Sequence, residues 1–119
     1  MPSRAILARE LAAMLKSIAH PDRVRIIEEL KSGALEVSTL SERLGLPATR
    51  ISQHLALLKV HRLVEERREG RFHHYSLAER DLAEWLLDGV RFIENRVAGD
   101  IASQKVIETA KRIWRPEAS

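Results

Sequence analysis

The sequence predicts a mostly α-helical domain carrying one small β-hairpin, and three observations support that fold class. Apolar residues recur at three- and four-residue steps in five stretches between Leu7 and Ile101, the period of helices with one buried face. Two runs of strand-forming residues, Leu63-Val64-Glu65-Glu66-Arg67-Arg68 and Arg71-Phe72-His73-His74-Tyr75-Ser76, flank Glu69-Gly70, as in a hairpin. Proline and glycine mark the joints at His20-Pro21, Ser32-Gly33 and Gly45-Leu46-Pro47, where a chain must change direction.

Each element follows from its residues. Leu7, Leu11, Met14, Leu15 and Ile18 lie on one side of a first helix, with Arg9, Glu10 and Lys16 on the other. Pro21 suits the first position of a second helix, where its missing N–H costs nothing. Val24, Ile27 and Leu30 run in register there, with Ile26 beside them, until Ser32-Gly33 stops it. Ser38 is the expected N-cap of a brief helix carrying Leu40 and Leu44, ended by Gly45. Pro47 opens the next, with Ile51, Leu55 and Leu58 on one face. After the hairpin, Ser76-Leu77-Ala78-Glu79 has capping-box spacing and predicts a helix start. Leu82, Leu86, Val90, Ile93, Val97 and Ile101 continue from it. A helix from Glu79 to Trp114 would span ~54 Å at 1.5 Å per residue, long for a small domain, so Gly89 or Gly99-Asp100 is where it would kink or split.

The 119 residues suit a single domain over 1–119. Five aromatic residues leave the core to aliphatic side chains, and a chain this short gains from added burial in an oligomer. With no cysteine, disulfide scaffolds, thiolate metal sites and cysteine nucleophiles are excluded. No signal-peptide core and no run of ~20 apolar residues occurs, so a cytoplasmic protein without a membrane partner is expected. Net charge is +3, and residues 47–80 hold seven basic against four acidic side chains with four of the five histidines. A basic middle fits a polyanionic partner.

Two short helices meeting across Gly45-Leu46-Pro47, followed by a hairpin, make a helix-turn-helix with a wing. The second helix then needs one apolar face for docking and one small polar face for the ~12 Å major groove. With Ile51 as zero, Leu55 and Leu58 fall within about 40° of it. Thr49, Gln53 and Ala56 fall opposite, flanked by Arg50 and Ser52. Gln53 suits an adenine edge, and Thr49 and Ser52 suit bases or phosphates; the plainer alternative is an ordinary solvated face. His54, about 60° off the core direction, fits either a phosphate contact or a structural role. Arg67, Arg68 and Arg71 surround the wing tip and suit phosphates or a narrow minor groove, though Glu65, Glu66 and Glu69 among them also fit a charge-balanced strand edge. His73 or His74 must face outward by strand alternation, and His73 is grouped with the DNA-contacting set. Tyr75 is expected to pack.

The stretch Leu15-Lys16-Ser17-Ile18-Ala19-His20-Pro21-Asp22-Arg23-Val24-Arg25-Ile26-Ile27 resembles the opening of the arsenic-repressor (ArsR-type) family of bacterial winged-helix regulators. Thr49-Arg50-Ile51-Ser52-Gln53-His54-Leu55, then Leu58, Leu63-Val64, Gly70-Arg71 and Tyr75-Ser76-Leu77, resemble the rest of its signature, so the likeness covers roughly residues 5–80. It implies a homodimeric repressor that binds an imperfect inverted repeat in double-stranded DNA and is released by an effector, whether small molecule or metal. It further implies a DNA-reading region over about residues 38–76 and dimerisation through terminal helices at about 4–18 and 79–114. Leu7, Leu11, Leu86, Val90, Ile93 and Val97 would then meet the partner copy; each stripe could equally be core, but two flanking a small domain call for a lid.

The departures are specific. Glu36-Val37-Ser38 stands where metal-sensing members carry a Cys-x-Cys pair, and residues 75–119 hold no histidine for the last-helix zinc site of another member type. No metal or other cofactor is therefore expected. A site between His61, His73 and His74 stays open, against the plainer reading of separate surface histidines, because no carboxylate beside them has metal-ligand spacing. Pro47 replaces a capping Ser or Thr, and Arg62 replaces a glycine, where a left-handed backbone would strain it. A winged-helix protein-interaction module without DNA is the alternative function. An enzyme is the weakest reading: no nucleophile elbow, phosphate-binding glycine loop or HExxH motif occurs.

Overall fold

The computed structural model describes residues 3–114; Met1, Pro2 and residues 115–119 lie outside them. The described residues up to Leu86 form one compact unit and those from Leu87 onward a second.

Helix α1 (Arg4–Ile18) is capped by Ser3, whose hydroxyl accepts the Ile6 amide at 3.3 Å. Helix α2 (Pro21–Glu29) begins on its proline, as expected, and the His20 imidazole caps it by accepting the Asp22 amide at 3.0 Å. A 3₁₀ turn, Leu30–Ser32, extends α2 to Gly33 at φ 137°, where glycine is required.

A strand absent from the sequence reading follows. Strand β1 (Leu35–Glu36) pairs antiparallel with β3 (Phe72–Leu77), Leu35 opposite Tyr75 and Glu36 opposite His74. Helix α3 (Val37–Leu44) starts directly from it, with Glu36 at the N-cap. Ser38 is thus inside the helix rather than capping it, because the ladder fixes Glu36 as the last extended residue. Gly45 ends α3 at φ 66°, and the Ser41 hydroxyl donates to the Leu46 carbonyl to close the turn. Helix α4 (Ala48–Val60) starts one residue later than expected, with Pro47 as its N-cap and no side-chain cap.

The end of α4 is a Schellman motif. Leu63 N–H bonds the Leu58 carbonyl and Arg62 N–H bonds the Lys59 carbonyl, both at 2.9 Å. Arg62 takes the left-handed position at φ 59°, the one non-glycine among the described residues with positive φ. Strand β2 (Val64–Glu69) then pairs with β3, Glu69 opposite Phe72, so the tight turn is Gly70-Arg71, one residue later than the sequence places it. Gly70 at φ 62° supplies the positive φ that such a turn needs at its first residue. The sheet order is β1-β3-β2.

Helix α5 (Asp81–Trp114) begins later than the capping-box spacing predicts. Ser76 is held in the ladder opposite Glu65, and the Ala78 amide donates to the Leu63 carbonyl at 3.0 Å, so the chain stays non-helical past Glu79. Gly89 and Gly99 do not split it. No described helix is long and apolar enough to cross a membrane.

The core of the first unit is aliphatic. Ile26, Ile27, Leu30, Leu40, Ile51, Leu55, Leu58 and Val64 are its fully buried side chains, drawn from α2, its 3₁₀ extension, α3, α4 and β2. At about 1.5–3 kcal/mol for each such side chain, this cluster holds α4 against α2 and α3. Leu82 and Ala83 tie the start of α5 into it. Leu7, Leu11 and Leu15 of α1 remain about half exposed, between 45% and 54%. In the second unit Phe92, Ile93, Val97 and Ile101 are exposed.

Candidate nucleic-acid interface

Helix α4 has the two faces its sequence demands. Ile51, Leu55 and Leu58 are fully buried, while Thr49, Arg50, Ser52, Gln53 and Ala56 are exposed. Those outward side chains are short or end in an amide or guanidinium, so the helix axis can approach a groove floor and still offer donors and acceptors. Arg50 lies 4.0 Å from the Asp22 carboxylate, within reach of solvent.

The wing brings a second group to the same side. Ser52, Arg71 and His73, with Glu36, Val37 and Ser38, line a groove of about 440 Å³. Arg71 has no carboxylate partner among the described residues, whereas Arg67 pairs with Glu69 at 3.2 Å and Arg68 lies 3.8 Å from Glu66. All three arginines are exposed.

Glu66 is the residue that sequence reasoning missed. Its side chain is 12% exposed and gathers four partners. Lys59 Nζ reaches Oε1 at 3.0 Å, and Tyr75 Oη donates to Oε2 at 2.7 Å. His73 Nδ1 lies 3.1 Å from Oε2, and Arg68 stands beside Oε1. The Tyr75 hydrogen bond first, then those of His73 and Lys59, hold the Glu66 carboxyl down at about 2. Burial and this carboxylate push the Tyr75 phenol up to about 12. The alternation rule held the clue: Glu66 shares a strand face with buried Val64, and an inward carboxylate needs donors. His73 thus faces the groove, while His74, on the opposite ribbon face, pairs with Glu36 at 3.4 Å. Tyr75 packs against the core, as expected.

His54 does not stand on the outward face. Its side chain is 11% exposed. Arg23 Nε donates to Nδ1 at 3.2 Å, which leaves the proton on Nε2 to be donated to Asp22 Oδ2 at 3.2 Å. The same guanidinium donates to the Ser17 carbonyl at 3.0 Å, so Arg23 joins the end of α1, helix α2 and helix α4. The His20 ring lies 4.5 Å from that of His54. Burial, with the neighbouring His20 and Arg23 charges, outweighs the Asp22 hydrogen bond and lowers the His54 pKa below 6.5. Sequence spacing left a phosphate contact and a structural role both open; this geometry favours the second.

His20, Asp22 and His54 are also the one described group whose ligand atoms, within 4.8 Å of one another, could surround a cation. Both imidazole acceptor nitrogens are in use: His20 Nδ1 caps α2 and His54 Nδ1 accepts a hydrogen bond from Arg23, while Asp22 Oδ2 faces His54 and Arg50. A metal would have to displace Arg23 and open the cap. The His61, His73 and His74 combination does not assemble, since His73 and His74 hold different carboxylates on opposite faces.

A polar helix backed by a buried apolar face, beside an arginine-bearing ribbon, is the arrangement of a winged helix-turn-helix protein. Residues 20–66 match the family described as bacterial regulatory protein, arsR family. The chain is 39% identical over 90 residues to the HTH-type transcriptional regulator Rv0081 of Mycobacterium tuberculosis, covering 75% of this chain and 78% of that one. The crystal structure of Rv0081 superposes with TM-score 0.66 at 36% identity, over 81% of this chain and 96% of that one. The regulator KmtR of the same organism is 34% identical over 77 residues, a match spanning 65% of this chain and 59% of KmtR. The homodimeric winged helix-turn-helix DNA-binding domain of Mb0332 from Mycobacterium bovis superposes with TM-score 0.63 at 30% identity, over 80% of this chain and 88% of that one. The chain belongs to the ArsR family of bacterial regulatory proteins, and it is a transcriptional regulator.

Proposed function

We propose that this regulator is a cytoplasmic, homodimeric repressor that places two copies of α4 in successive major grooves of an imperfect inverted repeat and leaves the DNA when an effector binds. The observation that carries the reading is the division of α4 into a fully buried face and an exposed polar face, Thr49, Ser52 and Gln53, with Arg71 and His73 in the adjoining groove. Thr49, Ser52 and Gln53 discriminate bases; Arg50, Arg67, Arg68, Arg71 and His73 contact phosphates or the minor groove. His54 supports α4 from behind.

Dimerisation accounts for the half-exposed stripe of Leu7 and Leu11 on α1 and for exposed Ile93 and Val97, with half-buried Leu86 and Val90, on α5. A second copy covers them, and homodimeric Mb0332 supports this arrangement.

The test is selection of genomic fragments by the purified chain, followed by footprinting. Two protected half-sites about one turn (~34 Å) apart are expected. The double variant Arg67→Ala/Arg71→Ala should bind every duplex more weakly, with a salt slope reduced by up to about 2. No duplex binding by the native chain at low ionic strength, or an unchanged affinity in the variant, would overturn the reading.

A further inference from the structure

Beside the turn that joins α4 to β2 lies a pocket of about 380 Å³, with Leu11 and Met14 of α1, Leu63, and Leu82 and Trp85 of α5 forming an apolar lining. Arg62, Glu79 and Asp81 stand in the same lining. The space suits about a dozen non-hydrogen atoms at ~30 Å³ each and falls within the range of small-molecule sites.

The three charged residues are not equivalent. Asp81 opens α5 and Glu79 lies just before it, its carbonyl accepting the Leu82 amide at 3.1 Å. Acids in that position are accounted for by the positive end of the helix dipole. Arg62 has no such account. Its backbone sits at φ 59°, where a side chain costs roughly 1–2 kcal/mol and glycine costs nothing. The Schellman motif requires the backbone conformation but not the guanidinium. Among the described residues that guanidinium has neither a hydrogen bond nor an ion pair. Arg62 belongs to the lining of an almost wholly apolar cavity, and its unpaired guanidinium is free to turn to the head of an amphiphilic anion held there.

We propose that this pocket binds a small apolar carboxylate, its head group on Arg62 and its hydrocarbon or aromatic body against Leu11, Met14, Leu82 and Trp85, and that such a ligand is the effector. The regulatory half rests on the repressor reading above. Arg62 and Leu63 follow directly on the reading helix, and Leu63 N–H bonds Leu58 of that helix. The opposite wall belongs to α1, which bears the proposed dimer stripe. An occupant therefore touches both the end of α4 and a dimerisation helix, and it shifts DNA affinity to the extent that it binds one arrangement better than the other.

The test is calorimetric titration of the full chain with decanoate below its micelle concentration, with decanol and decyltrimethylammonium as uncharged and cationic counterparts. Saturation at one decanoate per chain is expected, with decanol and the cation binding at least tenfold more weakly. Arg62→Gly relieves the backbone and removes the cation, so the variant should fold at least as well yet bind decanoate roughly tenfold to a hundredfold more weakly. Saturating decanoate should weaken duplex binding by about fivefold or more in the native chain and not in Arg62→Gly. Absence of saturable binding, as when a second copy fills the pocket, overturns the site. Equal decanoate binding by the native chain and the variant overturns the role of Arg62. Binding with unchanged duplex affinity overturns the regulatory half. A chain that binds decanoate as described but no duplex at any salt leaves the site standing and refutes the repressor reading instead.

Discussion

Replacing His54 by Ala tests whether that imidazole is a strut behind α4 or a contact to DNA. The substitution removes the hydrogen bonds to Arg23 and Asp22, both 3.2 Å, and the ring contact with His20. Hydrogen bonds to charged groups contribute about 1.5–3 kcal/mol each. The lower end applies here, because Arg23 keeps the Ser17 carbonyl and Asp22 keeps Arg50 nearby. A loss of about 2–4 kcal/mol follows, large for a domain of this size. Urea unfolding followed by circular dichroism at fixed chain concentration and pH 7.5 measures it. The pH dependence adds a signature. Because folding lowers the His54 pKa from 6.5, the unfolded chain takes up the proton first as pH falls, and the native protein loses stability below about pH 6.5. The variant lacks that contribution, so the stability gap narrows from pH 7.5 to 5.5. A loss under about 0.5 kcal/mol, within the range of neutral surface changes, would refute the strut. If stability held while the salt slope of duplex binding fell by about 1, His54 would be a phosphate contact.

Two further outcomes follow from the geometry. Glu66→Gln keeps an acceptor for Tyr75 but loses the charge that holds Lys59, His73 and Arg68; the native protein should be more stable than this variant above about pH 4.5, and the difference should vanish as pH falls toward 2, where the native carboxylate is protonated. Acid titration monitored by circular dichroism checks it, and a pH-independent difference would show that the charge is idle. Leu7→Glu/Leu11→Glu places two carboxylates in the exposed stripe of α1, so light scattering should report a monomer where the native chain gives a dimer, and an unchanged mass would remove α1 from the interface.

Much of the fold was legible because periodicity reports burial directly. Ile51, Leu55 and Leu58 announce the inner face of α4, and the structure buries all three while leaving Thr49, Ser52 and Gln53 outside. Pro21 and Gly45 mark their joints through backbone geometry alone, and both behave as local chemistry predicts; Arg62 takes its left-handed position against its own preference, and only the family resemblance pointed to it. What escaped the sequence depends on partners far along the chain. Strand β1 is two residues long and exists because β3 offers it an edge. Ser76 looked like a cap until its pairing with Glu65 kept it extended. His20 and Asp22 lie more than thirty residues from His54, and no spacing rule foresees their meeting. Glu66 was legible in part: its inward face could be deduced, but not which of the nearby donors it would hold.

That one carboxylate has a mechanical consequence. Because one oxygen of Glu66 holds Lys59 on the helix and the other holds Tyr75 on the neighbouring strand, the end of α4 is tied to both strands of the ribbon through a single side chain. On the proposed reading, a shift of the helix is passed to the ribbon through this contact, so the grip of one on the double helix bears on the grip of the other.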